Sequence, residues 1–144
     1  MKPNADFTIQ RVKSTDIKQI TQFIRSQLIQ YNIDTAQIDQ QHSLVFTAEN
    51  KNGECIGGVC GNIWGSCLEI DFLWISPTAR KGGLGSQLIK KIESEARQLG
   101  AEKVLVETFS FQAPDFYQRQ QFKEQYRISG YPKGIEKIFL EKLL

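Results

Sequence analysis

The spacing of hydrophobic positions changes along this chain between alternation and helical periodicity, and those changes divide it into elements. Phe7-Thr8-Ile9-Gln10-Arg11-Val12 alternates and predicts a first strand. Thr15 then offers a helix cap and Asp16 a first-turn acid. Ile17, Ile20, Ile24, Leu28 and Tyr31 follow at helical spacing, with Phe23 widening the stripe, which predicts an amphipathic helix of about four turns. Residues 32–41 are polar and fit either a loop or a short second helix. Three strands are predicted at 43–49, 54–64 and 67–75, joined by the turn residues Asn50-Lys51-Asn52-Gly53 and Gly65-Ser66. Leu84, Leu88, Ile89, Ile92, Ala96 and Leu99 mark a second long helix, closed by Gly100. A strand at 103–108, a short helix at about 114–120, and strands at 122–129 and 138–143 complete the pattern.

A strand reached through a helix from an earlier strand implies a right-handed parallel crossover. The order therefore predicts an α/β (α+β) fold. Its central sheet is mixed and mostly antiparallel, with helices on both faces. Residues 1–144 fit one domain, because 144 residues leave no room for two cores of ordinary size.

Composition narrows the function classes. Eighteen Lys and Arg stand against 16 Asp and Glu, with no long block of either sign, which argues against a dedicated nucleic-acid binder. No run approaches the ~18 apolar residues of a membrane span, and MKPNADFTIQ lacks the apolar stretch of a signal peptide. The expected location is cytoplasmic. Cys55, Cys60 and Cys67 are odd in number and form no Cys-x-x-Cys pair, and His42 is the single histidine. Reduced, partly buried thiols are expected, with no metal site.

The most informative stretch is Ile75-Ser76-Pro77-Thr78-Ala79-Arg80-Lys81-Gly82-Gly83-Leu84-Gly85-Ser86. A strand ends, a short loop follows, and a helix begins within glycines. Such a turn can aim several free N–H groups at one point, and the helix N-terminus adds partial positive charge. Arg80 and Lys81 add full charges. The combination suits a phosphate or pyrophosphate. It is not a P-loop, since no Gly-Lys-Ser/Thr closes it, and it is not the Gly-x-Gly-x-x-Gly dinucleotide fingerprint.

Arg80-Lys81-Gly82-Gly83-Leu84-Gly85 resembles the Arg/Gln-x-x-Gly-x-Gly/Ala signature of the GCN5-related N-acetyltransferases (GNAT), with the preceding hydrophobic-x-Pro present as Ile75-Ser76-Pro77. Downstream, Ser110 to Phe122 is similar to the family's Asn-x-x-Ala-x-x-x-Tyr-x-x-x-Gly-Phe. Ala113, Tyr117 and Phe122 match in register, while Ser110 replaces Asn and Gln121 replaces Gly. The resemblance covers the whole chain, including the order of elements. It implies acetyl-CoA held where two parallel strands splay apart, here 67–75 and 103–108. Main chain near Trp74 and Ile75 would take the pantetheine arm. The turn with Arg80, Lys81, Gly82, Gly83, Leu84, Gly85 and Ser86 would take the pyrophosphate, with Ser110 at the position of the family's Asn. No metal is implied.

Acetylating an amine through a thioester needs a neutral amine and a protonated leaving group, and gains chiefly from positioning. Glu69 and Asp71 stand two residues apart on Cys67–Ile75, and alternation puts both on one face with Leu68, Ile70 and Phe72 on the other. Either is a candidate base, against a reading as a cross-strand ion pair or a solvated face. Glu69, six residues before Ile75, is preferred, because its place is similar to that of the carboxylate base in one branch of the family. Tyr117 is the candidate acid: the family often places a tyrosine here, and a phenol is protonated at neutral pH. Trp64, Trp74, Phe109, Phe111, Tyr126 and Tyr131 are candidates for the acceptor side, as is the loop Pro132-Lys133-Gly134. Cys60 and Cys67 have no paired base and are not read as nucleophiles.

The expected function is transfer of an acetyl group from acetyl-CoA to the primary amine of a small molecule by direct attack. The alternatives are the same chemistry on a protein lysine or N-terminal amine, and a non-catalytic acyl-CoA-binding sensor module. No nucleic-acid or membrane partner is expected, and a homodimer is left open.

Overall fold

The computed structural model describes residues 7–37 and 41–144. Backbone contacts divide the chain into two compact units, Met1–Asp39 and Gln40–Leu144.

In the first unit, residues 7–13 are irregular, so the strand expected at Phe7–Val12 is not formed. Alternation specifies two faces of a strand but not a neighbour to pair with, and no ladder reaches this segment among the described residues. The helix α1 (Ile17–Ala36) is longer than expected and takes in much of the polar segment. No Gly or Pro interrupts residues 32–36, and Gln30 Nε2 donates to Asp34 Oδ1 at 2.8 Å across one turn. Asp16, not Thr15, occupies the N-cap, and the Thr15 hydroxyl donates to its Oδ1 at 2.9 Å. Gln37 closes the helix in the left-handed region, at φ 55°. Residues 38–40 of the 32–41 stretch lie outside the described residues.

The second unit follows the expected order closely. It contains β1 (Gln41–Glu49), β2 (Cys55–Trp64), β3 (Cys67–Ile75), α2 (Leu84–Gln98), β4 (Lys103–Phe109), α3 (Pro114–Arg119), β5 (Lys123–Ile128) and β6 (Lys137–Leu143). The strands form one six-stranded sheet in the order β1-β2-β3-β4-β6-β5. Every neighbouring pair is antiparallel except β3–β4. That parallel pair is the crossover that the α2 connection requires.

The core lies between one face of the sheet and α2. Val59 and Ile63, Leu68 and Ile70, Val104 and Val106, and Ile138 and Leu140 alternate inward from four neighbouring strands. Leu88, Ile89, Ile92 and Ala96 meet them from the apolar stripe of α2. The helix ends in a Schellman turn. Ala101 N donates to Ala96 O at 2.9 Å, Gly100 N donates to Arg97 O at 3.1 Å, and Gly100 takes φ 91°. One charge enters this core: Glu93 of α2 is 6% exposed, and Lys142 Nζ on β6 donates to both of its oxygens at 2.9 and 2.8 Å. The doubly bonded pair ties the helix to β6 and leaves neither charge bare.

The feature that shapes the rest is a bulge in β3. Cys60 of β2 pairs with Phe72 and the next residue, Gly61, pairs with Ile70, so Asp71 is the extra residue. Alternation therefore slips by one. Leu68 and Ile70 face the core before it, and Leu73 and Ile75 pack on the core after it. Phe72, expected among the buried residues, is 74% exposed on the opposite face. Gly61 is where the β2 backbone closes on the bulge; a Cβ there would overlap the Glu69 carbonyl. Gly61→Val is expected to lower stability by roughly 1–3 kcal/mol, the usual range for overpacking. It should also loosen the bulge. Denaturant titration measures the first effect, and amide exchange at residues 69–73 measures the second.

Candidate functional site

Strands β3 and β4 pair only from Cys67↔Lys103 to Ile70↔Val106. Beyond that rung each keeps its outer neighbour. β3 stays on β2 through Gly57↔Ile75, and β4 stays on β6 through Phe109↔Lys137. The two strands therefore fork at Asp71 and Glu107, and main chain of β3 from Asp71 to Ile75 has no β4 partner. A cleft of about 1020 Å³ opens in the fork. The expected splay of these two strands is observed.

One wall is the loop and first turn of α2. Trp74, Ile75, Arg80, Lys81, Gly83, Leu84, Gly85 and Ser86 all line the cleft. Gly83 is the helix N-cap at φ 80°, a conformation that strains any residue with a Cβ. No side chain caps this helix, and the first intrahelical bond is donated by Gln87 N to Gly83 O at 3.1 Å. The preceding amides lack helical acceptors and are available to an anion. Lys81 also sits at positive φ, 66°, which stores strain in this turn. Arg80 Nε donates to the Ile75 carbonyl at 3.1 Å, so one of the expected main-chain binding groups already has a partner.

The other wall is α3, and it grips the α2 turn. A Cβ on Gly85 would lie 3.2 Å from the Phe116 ring, so the glycine lets that ring pack against the helix start. Gln120 Nε2 donates to Ser86 Oγ at 2.8 Å. Tyr117, on the same short helix, lines the cleft yet is only 7% exposed, packed edge-on between Phe116 and Phe122. Burial pushes its phenol up to about 12.

The expected carboxylates divide at the bulge. Asp71 lines the cleft; Glu69, one rung inside the fork opposite Leu105, is not part of its lining. Asp71 Oδ2 accepts a hydrogen bond from Asn62 Nδ2 at 2.6 Å. Glu107, across the fork from Asp71, also lines the cleft and pairs with Lys137 Nζ at 2.7 Å. Ser110 and Gly82 are not in the lining either. Ser110 instead clips the end of β4 to the segment before β6: its N–H donates to Glu136 O at 2.8 Å and its Oγ accepts from Glu136 N at 3.0 Å. Gln112 holds the turn into α3, its Oε1 accepting from Phe109 N at 2.8 Å and Thr108 Oγ1 at 3.1 Å.

Of the aromatic candidates, Trp74 and Phe111 line the cleft, joined by Phe72, while Trp64, Phe109, Tyr126 and Tyr131 do not. Phe109 supports the wall from behind, stacked on Phe111 at 5.7 Å and edge-on to Tyr131 at 5.3 Å. Sequence reasoning missed Phe72, Asn62, Arg119 and Gln120. The two-versus-one count that exposes Phe72 depends on strand pairing, which no spacing along one chain reveals. All three cysteines are free thiols, and burial pushes Cys67 up. Among the described residues no group of three His, Cys, Asp or Glu could hold a metal, and no helix is long and apolar enough to cross a membrane.

Residues 14–122 match the acetyltransferase (GNAT) family. The chain is similar to the blasticidin-S acetyltransferase of Streptomyces morookaense, 42% identical over 95 residues, which cover 65% of this chain and 70% of that protein. Its fold is similar to an acetyltransferase from Bacillus cereus ATCC 14579, with a TM-score of 0.79, 32% identity, and 96% and 98% of the two chains covered. It is also similar to a protein of Bacillus anthracis str. Ames solved in complex with acetyl coenzyme A. There the TM-score is 0.65, at 16% identity over 74% of this chain and 65% of that one.

The Tyr117 phenol carries a stability consequence. Its folded value near 12 exceeds the ordinary value of 10, so between those limits the unfolded chain ionises first and folding stability falls as pH rises. The loss across this window is expected to reach roughly 2–3 kcal/mol. Urea titrations at pH 9.5 and 11.5 should show it in the wild type and show less of it in Tyr117→Phe. An equal loss in both proteins would place the effect elsewhere.

Proposed function

This chain belongs to the acetyltransferase (GNAT) family, and from that premise we propose that it transfers the acetyl group of acetyl-CoA to the primary amine of a small molecule. The observation that carries the reading is the fork itself. Unpaired β3 main chain, the uncapped start of α2, Arg80 and Lys81 line one continuous cleft with Asp71 and Tyr117. These groups fit the thioester donor. Main chain of residues 71–75 suits the amide-bearing arm, as an added strand edge would, and the α2 amides with Arg80 and Lys81 suit its pyrophosphate. When bound, acetyl-CoA supplies an acyl group activated by a good leaving group. A fold neighbour that holds acetyl coenzyme A supports this choice of donor.

Positioning does most of the work in this reading, because amine and acyl carbon meet in a cleft walled on both sides. Asp71 accepts the proton the amine must lose. We assign the base there and not to Glu69, since only Asp71 lines the cleft. Tyr117 holds a proton for the departing sulfur, and burial keeps it protonated across the working pH range. A small acceptor is favoured by the aromatic lining of Phe72, Trp74 and Phe111 and by the relative named for blasticidin S.

Calorimetry with acetyl-CoA after chelation of metals is expected to show stoichiometric binding, and Gly83→Val is expected to weaken it at least about tenfold by straining the turn. No binding at millimolar donor would overturn the donor assignment.

With an amine found by screening, Asp71→Asn is expected to lower kcat/KM by roughly 10²–10⁴, most strongly at low pH where the amine is protonated. Glu69→Gln should cost less than about tenfold across the profile. The reverse order would return the base to Glu69.

A further inference from the structure

Asp71 is the extra residue of a bulge, so its backbone does not fix its side chain as a regular strand position would. It is nevertheless held. On the face of the sheet away from α2, three strands contribute a side chain to one hydrogen-bonded line. Ser43 of β1 sits opposite Asn62 of β2, and Ser43 Oγ donates to Asn62 Oδ1 at 2.6 Å. Asn62 Nδ2 donates to Asp71 Oδ2, also at 2.6 Å. The direction of this line follows from chemistry. An ionised carboxylate only accepts, so the amide must turn its NH₂ to Asp71, and the serine must then donate to the amide oxygen.

We infer that Asn62, oriented by Ser43, is a positioning residue that fixes Asp71 for proton acceptance. This rests on the reading of Asp71 as the base. Asn62 occupies Oδ2 alone and leaves Oδ1 for the acceptor amine. When Oδ1 takes the proton, Oδ2 remains an acceptor, so the line survives both protonation states without reversal. An amide suits this task where a second carboxylate would not, since two carboxylates at this separation compete for one proton. The other titratable or charged groups around Asp71 on this face of the sheet are Glu69 on β3, Cys60 on β2, and the Glu107–Lys137 pair across the fork. None of these hydrogen-bonds to Asp71, which leaves Asn62 as its side-chain partner among the described residues.

The test is a double-mutant cycle with kinetics. Asn62→Leu is expected to lower kcat/KM for the amine roughly ten- to hundredfold, as for a hydrogen bond to a charged group, while changing KM for acetyl-CoA less than about twofold. In an Asp71→Asn background the same substitution should change the rate less than about twofold. Asn62→Asp should move the pH–rate profile toward alkaline pH by about one unit or more, which a purely structural role would not do. If Asn62→Leu folds poorly by thermal melting, Asn62→Ser replaces it: its side chain is too short to bridge both neighbours, and it should show the same loss. Wild-type kcat/KM in Asn62→Leu, or an equal loss with and without Asp71, overturns the positioning role. Full activity of Asp71→Asn would instead remove the base assignment, and this inference with it.

Discussion

A β-strand has two edges, and β3 cannot satisfy both along its whole length. Between Cys67 and Ile70 it pairs with β2 and β4 together; from Asp71 onward it follows β2 alone. The bulge at Asp71 is where that choice is made, because an inserted residue bends and twists the strand that carries it. Gly61 makes the bend feasible by giving up its side chain at the point of closest approach. The cleft, the free main chain along one wall and the exposure of Phe72 all descend from this local two-versus-one pairing. A regular β3 would close the fork with hydrogen bonds and bury the main chain that the donor arm is proposed to use.

The second wall depends on small contacts. α3 has only six residues, too few to be stable alone. It is held by Tyr117 and Phe122 packing into the core and by the Gln120–Ser86 bond to α2. Phe116 against Gly85 brings the two helices close where the α2 amides are free. The turn proposed to bind the anion and the proposed acid thus share one packing unit, and neither can shift far without the other. Glu93 and Lys142 anchor the far side of α2 to β6, so that helix offers a fixed base for the turn.

Much of this was legible in the sequence because it rests on local chemistry. The 3.6-residue stripe placed α2, Gly100 placed its end, and turn residues bounded β1 to β3 nearly where they lie. The glycine turn before α2 was legible too, and there the structure places Gly83 at positive φ ahead of a helix start with no side-chain cap. What escaped depends on partners distant along the chain. Phe7–Val12 alternates like a strand but pairs with nothing among the described residues. Glu69 and Asp71 look equivalent at two-residue spacing until strand pairing puts one inside the fork and the other at its mouth. Ser110, matched to a motif position, spends its hydroxyl on the Glu136 backbone instead. Asn62 gave no signal, because its hydrogen bonds link side chains from three strands.

The charges of the cleft are sorted along it, and that sorting gives it a direction. Arg80, Lys81 and the start of α2 make one end positive, while Asp71 and Glu107 stand where the strands part. A ligand with an anionic end and an electrophilic tip is therefore oriented with its tip toward the carboxylates. Glu107 is already neutralised by Lys137, whose ammonium also lies 5.8 Å from the Phe109 ring and 5.7 Å from that of Phe139. Among the described residues, the side-chain hydrogen-bond partner of Asp71 is a neutral amide. Of the two carboxylates at the fork, Asp71 is thus the one without a cationic partner, which fits the role proposed for it of attracting the amine and taking its proton. In the proposed reaction, that separation would draw the donor to one end and leave Asp71, a carboxylate with no cationic partner among the described residues, for the acceptor at the other.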